Sequence, residues 1–318
     1  MAQSISLGAP LRQAITTVKS ILFAPFDLLK WMGLGFTAWL ATLHHGRPIF
    51  NLSSLYQQAA SRSFTAAWDW VLNQGMLGGG LLIGGGILIL ALSLALTWIS
   101  SRAQFMFLDN VIHNRAEIVK PWQRYRASGN SYFLFSICLG LIALLILGAI
   151  ILMATLIALP DIMGYHCGPK AICALILGGG LGLIGALGLV SILIFLKDFI
   201  VPLMLLRACP ILAAWSHFKS IFKKRPGIFM LYLLLRLGLA WAVDIIALLC
   251  CCCLCCLMWI PYISTLILLP LLVFLRCYAL HFLAQFGDEY QLLPGAVNMT
   301  RQPAMPATGI TPPPNPEV

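Results

Sequence analysis

Six long apolar stretches dominate the chain: about 21–43, 77–99, 132–159, 171–196, 228–259 and 262–285. Crossing the ~30 Å hydrocarbon layer takes about 20 apolar residues in a helix, which satisfies its own backbone hydrogen bonds. Each stretch meets that length. The expected fold is therefore all-α, a polytopic transmembrane bundle of six helices occupying residues 1–290. Composition excludes the soluble alternative: the 318 residues are 60% hydrophobic and 9% charged, against about 25% charged in a soluble domain. Residues 302–318 hold six prolines, Pro303 to Pro316, and little apolar periodicity, which predicts a disordered tail over 291–318.

The basic residues give an orientation. Arg12, Lys19 and Lys30 precede or open the first stretch, and Arg102, Arg115, Lys120, Arg124 and Arg126 follow the second. Lys197, Arg207, Lys219, Lys223, Lys224, Arg225 and Arg236 follow the fourth, with Arg276 and Arg301 at the end of the sixth and in the tail. The other side holds only Arg47, Arg62 and Lys170. Seventeen against three, alternating as six spans require, predicts both termini inside by the positive-inside rule. Residues 1–20 have no signal-peptide core. The expected home is a bacterial cytoplasmic membrane, with the first stretch an uncleaved anchor.

Internal repetition organises the chain further. Residues 10–22, PLRQAITTVKSIL, align without gaps on 210–222, PILAAWSHFKSIF, sharing Pro10/Pro210, Ala14/Ala214, Lys19/Lys219, Ser20/Ser220 and Ile21/Ile221. Leu11, Ile15, Val18 and Leu22 match Ile211, Trp215, Phe218 and Phe222, an apolar stripe at helical spacing with cations beside it. A middle copy runs Ile118, Trp122, Tyr125, then Arg126. The basic ends of the second, fourth and sixth stretches (Arg102, Lys197, Arg276) are each followed within three residues by Phe105, Phe199 or Tyr278. The expectation is three units, each a basic amphipathic helix at the interface followed by a transmembrane hairpin.

ILFAPFDLLKW (21–31), SRAQFMFLDN (101–110), KPWQRYRASGNS (120–131), KDFIVPLM (197–204) and LPLLVFLRCYALHFLAQFG (269–287) together resemble an uncharacterised group of bacterial six-helix membrane proteins. That group is similar to the membrane domain fused to some glycerophosphodiester phosphodiesterases. The resemblance implies a helical membrane module without assigned activity. The soluble phosphodiesterase domain of some relatives is absent, so its catalysis is not carried over.

Few residues point to chemistry. An ionisable side chain inside a span is a default site candidate. Asp244 is the best placed, with Arg236 or Arg276 as its expected partner, either as a structural ion pair between helices or as a polar site. Asp27 and Lys30 are expected to pair locally, Lys197 and Asp198 to anchor at the interface, and His281 to hydrogen-bond within the packing. Cys250–Cys253, Cys255 and Cys256 point around one helix, which suits close packing better than metal ligation. Cys167 and Cys173 flank an outer turn and could form a disulfide. Glycines at Gly80, Gly84, Gly178 and Gly182 repeat at spacings of four, which suits helix–helix packing. His44 and His45, neighbours on a loop, make no metal site. The long outer segment 44–76 ends near Trp68 and Trp70, which suit the outer interface. No serine elbow, phosphate loop or H-E-x-x-H helix is present, so no catalytic, metal or cofactor site is expected.

Two functional readings follow. The first is a non-enzymatic module that organises anionic lipids at the cytoplasmic face, or protein partners, through Lys219, Lys223, Lys224 and Arg225 and their equivalents. It allows a homo-oligomer and expects no nucleic acid. The alternative is a transporter of a small or lipidic substrate with Asp244 at its polar site.

Overall fold

The computed structural model describes residues 6–43, 76–164, 168–253 and 260–293, and among them the regular structure is helical throughout. The helices are α1 (Gly8–Leu22), α2 (Leu28–Thr42), α3 (Met76–Ile112), α4 (Val119–Arg124), α5 (Arg126–Met163) and α6 (Pro169–Phe195). A π-turn, Leu196–Ile200, leads into α7 (Val201–Arg207), followed by α8 (Ile211–Lys224), α9 (Pro226–Cys253), α10 (Pro261–Ile267), α11 (Leu269–Ala284) and a 3-10 turn, Asp288–Tyr290. His44, His45, Trp68, Trp70, Cys167, Cys255, Cys256 and the tail lie outside the described residues.

Four segments are long and apolar enough to cross a membrane: Leu82–Ile112, Arg126–Asp161, Pro169–Arg207 and Pro226–Cys250. They correspond to the second to fifth expected spans, and the chain reads as an integral membrane protein. Length alone separates the other two. The first stretch breaks at Phe23–Asp27, around Pro25, and resumes as α2, whose 15 residues rise only ~22 Å. Asp27 accepts the backbone N–H groups of Leu29 and Lys30, so it caps α2, and its charge also acts on the Lys30 ammonium. The Lys30 Nζ donates to the Ile21 carbonyl at 2.6 Å. The last stretch breaks at Leu268: Pro270 has no N–H for the Leu266 carbonyl, which accepts from the Trp31 indole N–H instead, and α11 has 16 residues.

The long helices exceed the membrane thickness, and their two ends differ. The apolar half of α5 is unburied and that of α3 nearly so. Ile83, Leu88 and Ile89 on α3 and Leu144 and Leu145 on α5 stand exposed, as lipid-facing surface does. The packed core gathers at the opposite ends, around 97–112, 196–204, 229–233 and 273–283. Phe199 sits at its centre, fully buried, with Phe218, Phe229 and Tyr232 ring centroids 5.4, 5.4 and 4.9 Å away. Such pairs add ~0.5–1.5 kcal/mol each beyond area burial.

Each short amphipathic helix covers part of a longer helical segment. α4 lies on α3, with Tyr125 stacked on Phe105 at 6.1 Å. α8 lies on the π-turn, with Phe218 stacked on Phe199. α1 lies on α11, where the Thr17 hydroxyl meets His281 Nε2 at 2.9 Å. The buried faces coincide in register: Pro121, Ala14 and Ala214 are buried, as are Tyr125, Val18 and Phe218. The stripe is rotated from the expected one, because Ile15 is exposed and Trp215 half-buried while Ala14 and Ala214 face inward. Small residues there let the helices lie close to the core.

The glycine expectation divides. A methyl group at Gly178 would meet Ala154 at 3.0 Å, whereas Gly80, Gly84 and Gly182 have no described atom within 4 Å. Cys250 is half-buried beside Ala247 and Leu268, and Cys173 is exposed.

Candidate functional site

Charge is concentrated where the long helices converge. The π-turn holds the key carboxylate. Pro202 has no N–H to offer the Asp198 carbonyl and its ring crowds that position, and the chain responds by widening the turn to an i→i+5 bond from Val201 N–H to Leu196 O. The wider turn leaves Asp198 2% exposed in the core. Its Oδ2 accepts from Arg236 Nε and from the Tyr232 hydroxyl, both at 2.9 Å.

Arg276 on α11 reaches the same place from another side. Its Nη1 donates to the Lys197 carbonyl at 2.7 Å and its Nη2 to the Gln104 side-chain oxygen. Gln104 in turn donates to the Ala41 carbonyl, which also accepts from the Ser100 hydroxyl at 3.0 Å. Thus α2, α3, the π-turn, α9 and α11 meet in one hydrogen-bonded cluster. A cavity of about 110 Å³ lies within it, lined by Ala38, Ala41, Thr42, Gln104, Phe107, Lys197, Asp198, Arg236, Leu272, Leu275 and Arg276.

Two of the three residues expected at an intramembrane polar site, Arg236 and Arg276, therefore line one cavity. Asp244 does not: it is exposed on α9, without an ion-pair or hydrogen-bond partner among the described residues. Asp198, expected at the interface, takes the place assigned to it. Hydropathy misses this because the π-turn rotates Asp198 inward. A proline four residues after an acidic residue near a span end is the signal that could have found it.

A second charged cluster lies where α3 ends. Asp109 is fully buried and accepts from Arg115 Nη2 and the Tyr125 hydroxyl, both at 2.8 Å, with His113 Nδ1 at 3.2 Å. Burial first, and then the bond to Asp109, push the Tyr125 phenol up to about 12. The Arg115 guanidinium is raised chiefly by its bond to the same carboxylate. Nearby, Arg102 packs 4.1 Å over the Trp98 ring and donates to Asn130 at 2.9 Å. These contacts fix α4 to α3 and α5, a structural task.

The expected headgroup residues lie outside the core. Lys219, Lys223 and Lys224 on α8 and Arg225 just after it are exposed, as are Arg12 and Lys19 on α1 and Lys120 and Arg124 on α4. Exposed Phe23, Phe26, Leu28 and Leu29 follow α1, and exposed Ile118 and Val119 accompany α4.

No curated protein and no solved structure matches the chain. A protein-family model does, over residues 9–269, a range that includes α2, α3, the π-turn and α9 and ends at the first residue of α11. By that match the chain belongs to a family of unknown function, DUF7544.

Proposed function

We propose that the protein is a non-catalytic membrane module that gathers anionic lipid at one membrane face, with both termini on that cytoplasmic side. The observation that carries this reading is the shared construction of α1, α4 and α8. Each buries an apolar face against the end of a longer helix and leaves cations exposed beside it. The matched burial of 14/121/214 and 18/125/218 supports three repeated units as part of the same reading. The likeness to the membrane domain of glycerophosphodiester phosphodiesterases belongs to this proposal too.

Energetics assign the two faces different tasks. Burial of a large apolar side chain contributes ~1.5–3 kcal/mol, whereas a cation near an anionic surface contributes about 1 kcal/mol. Packing therefore docks α8 and charge selects its lipids. Replacing Lys219, Lys223, Lys224 and Arg225 together by Gln should leave circular dichroism unchanged. The same variant should lower the enrichment of brominated phosphatidylglycerol over brominated phosphatidylcholine, read by tryptophan quenching in mixed vesicles, at least fivefold. Trp215→Ser with Phe218→Ser should instead reduce the yield of folded protein. Unchanged lipid preference in the charge variant would refute the proposal.

A further inference from the structure

The contacts that fix α4 leave the charge of Arg102 unanswered. Arg102 is 6% exposed, and its guanidinium lies 4.1 Å from the Trp98 ring and 5.3 Å from the Trp122 ring. Its Nε and Nη2 both donate to the Asn130 side-chain oxygen, at 3.3 and 2.9 Å. A guanidinium has five N–H donors, and these bonds use two. The indole faces attract a cation and the amide oxygen accepts from it, but none of the three carries a negative charge. The charge that does act on Arg102 has the same sign, that of Arg126 in the first turn of α5. Among the described residues no carboxylate pairs with either arginine. Asp109 and Glu117 are held by Arg115 and Lys120, and the first turn of α5 has no acid. A buried cation beside a second cation is costly without a counter-charge. Arg126 and Asn130, four residues apart, share one face of α5 and both are exposed, so the uncompensated charge opens to the surface there.

We infer that Arg102, Arg126 and Asn130 form a site for the phosphate of an anionic phospholipid. The free N–H groups of Arg102, the Arg126 guanidinium and the Asn130 amide N–H groups supply donors from two helices. Arginine forks match the oxygens of a phosphate and hold it by charge-assisted bonds. Trp98 and Trp122, half-buried around the guanidinium, are rings of the kind found at headgroup depth. From this point Trp98, Leu94 and Ile87 follow one face of α3, and Asn130, Leu134 and Leu141 one face of α5. The four aliphatic side chains are exposed. They offer acyl chains a path along both helices, which favours a lipid over the free ion. The inference deepens the proposed function by naming a discrete site. It rests on that reading only for placing this end of the helices at an anionic leaflet.

The test uses the full chain in a maltoside detergent. Dihexanoyl phosphatidylcholine is replaced stepwise by dihexanoyl phosphatidylglycerol, at fixed total lipid and ionic strength, while the thermal midpoint is followed. A saturable rise is expected, because a ligand held only by the folded state stabilises it. Arg126→Gln, at an exposed position, should weaken the apparent affinity about fivefold or more. Arg124→Gln removes the same charge two residues away and should stay within about twofold of wild type, since a solvated charge is screened. Asn130→Asp keeps the acceptor for Arg102 and supplies the missing negative charge from within. It should raise the lipid-free midpoint and abolish the rise with lipid. The variant lacking Lys219, Lys223, Lys224 and Arg225 should respond as wild type here, so this site and the α8 surface fail or stand separately. A matching rise with sodium phosphate, against a chloride control, would assign the site to the free ion and overturn the phospholipid assignment. No saturable rise, equal effects of Arg124→Gln and Arg126→Gln, a wild-type response of Asn130→Asp, or a lost response in the α8 variant would overturn the proposal.

Discussion

Removing the Asp198 carboxylate should destabilise the protein far more than removing that of Asp244, although the sequence places Asp244 inside an apolar stretch and Asp198 at the interface. Asp198 is 2% exposed and accepts from Arg236 and Tyr232, both at 2.9 Å. Asp198→Ala strands a guanidinium and a phenol in the core. Breaking a buried ion pair from one side costs ~3–5 kcal/mol. At ~2–4 °C per kcal/mol, the thermal midpoint in mild detergent should fall by at least about 6 °C. Asp244→Ala, at an exposed position, should stay within ~0.5 kcal/mol of wild type. The triple replacement Asp198→Leu, Arg236→Met, Tyr232→Phe removes the carboxylate and both of its side-chain donors together. It should recover most of the loss, because apolar residues of similar volume often replace a buried pair at little cost. Equal effects of Asp198→Ala and Asp244→Ala, or a triple variant as unstable as the single one, would refute this account of the core.

Two further outcomes follow from the packing around α4. Tyr125→Phe should cost ~1–2 kcal/mol through the lost bond to Asp109. The Tyr125 phenol titrates at about 12 in the folded protein and near 10 when unfolded. The stability it adds is thus fully present below pH 10 and lost as pH rises through 12, and the midpoint gap between wild type and Tyr125→Phe should shrink over that range. Gly129→Ala should cost ~1–3 kcal/mol by overpacking, read as a lower midpoint, because its methyl group would lie 2.6 Å from Arg102 Cγ and 3.1 Å from its Cα.

The parts of this fold legible in the sequence are those that depend on averages. Length and hydropathy define α3, α5, α6 with its continuation, and α9, since lipid exposure demands an apolar surface all round. The amphipathic α1 and α8 are legible because one face repeats at helical spacing. Local backbone events escape such averaging. The break at Phe23–Asp27 hides inside an apolar stretch, and the π-turn before Pro202 changes which way Asp198 points without changing composition. Four of the seventeen cations that set the expected orientation, Arg102, Lys197, Arg236 and Arg276, lie in the packed interior or line its cavity. Charge counting assigns them an expected side of the membrane but not their partners. The pairing of Arg236 with Asp198 in place of Asp244 was illegible for the same reason: it depends on how two helices rotate about their axes.

The docking of α1 on α11 bears on how the chain is assembled. Thr17 meets His281, and the Ser6 backbone is held by Gln285 through bonds of 2.9 Å in both directions. α1 leaves the ribosome well before α11, and its resting place is built from residues made about 270 positions later, after α3, α5, α6 and α9. Until then its buried face, Ala14, Val18 and Ile21, has only lipid or a chaperone to lie against. Synthesis halted before α11 would leave the core open and the first helix unseated, a state that quality-control proteases can distinguish from the finished protein.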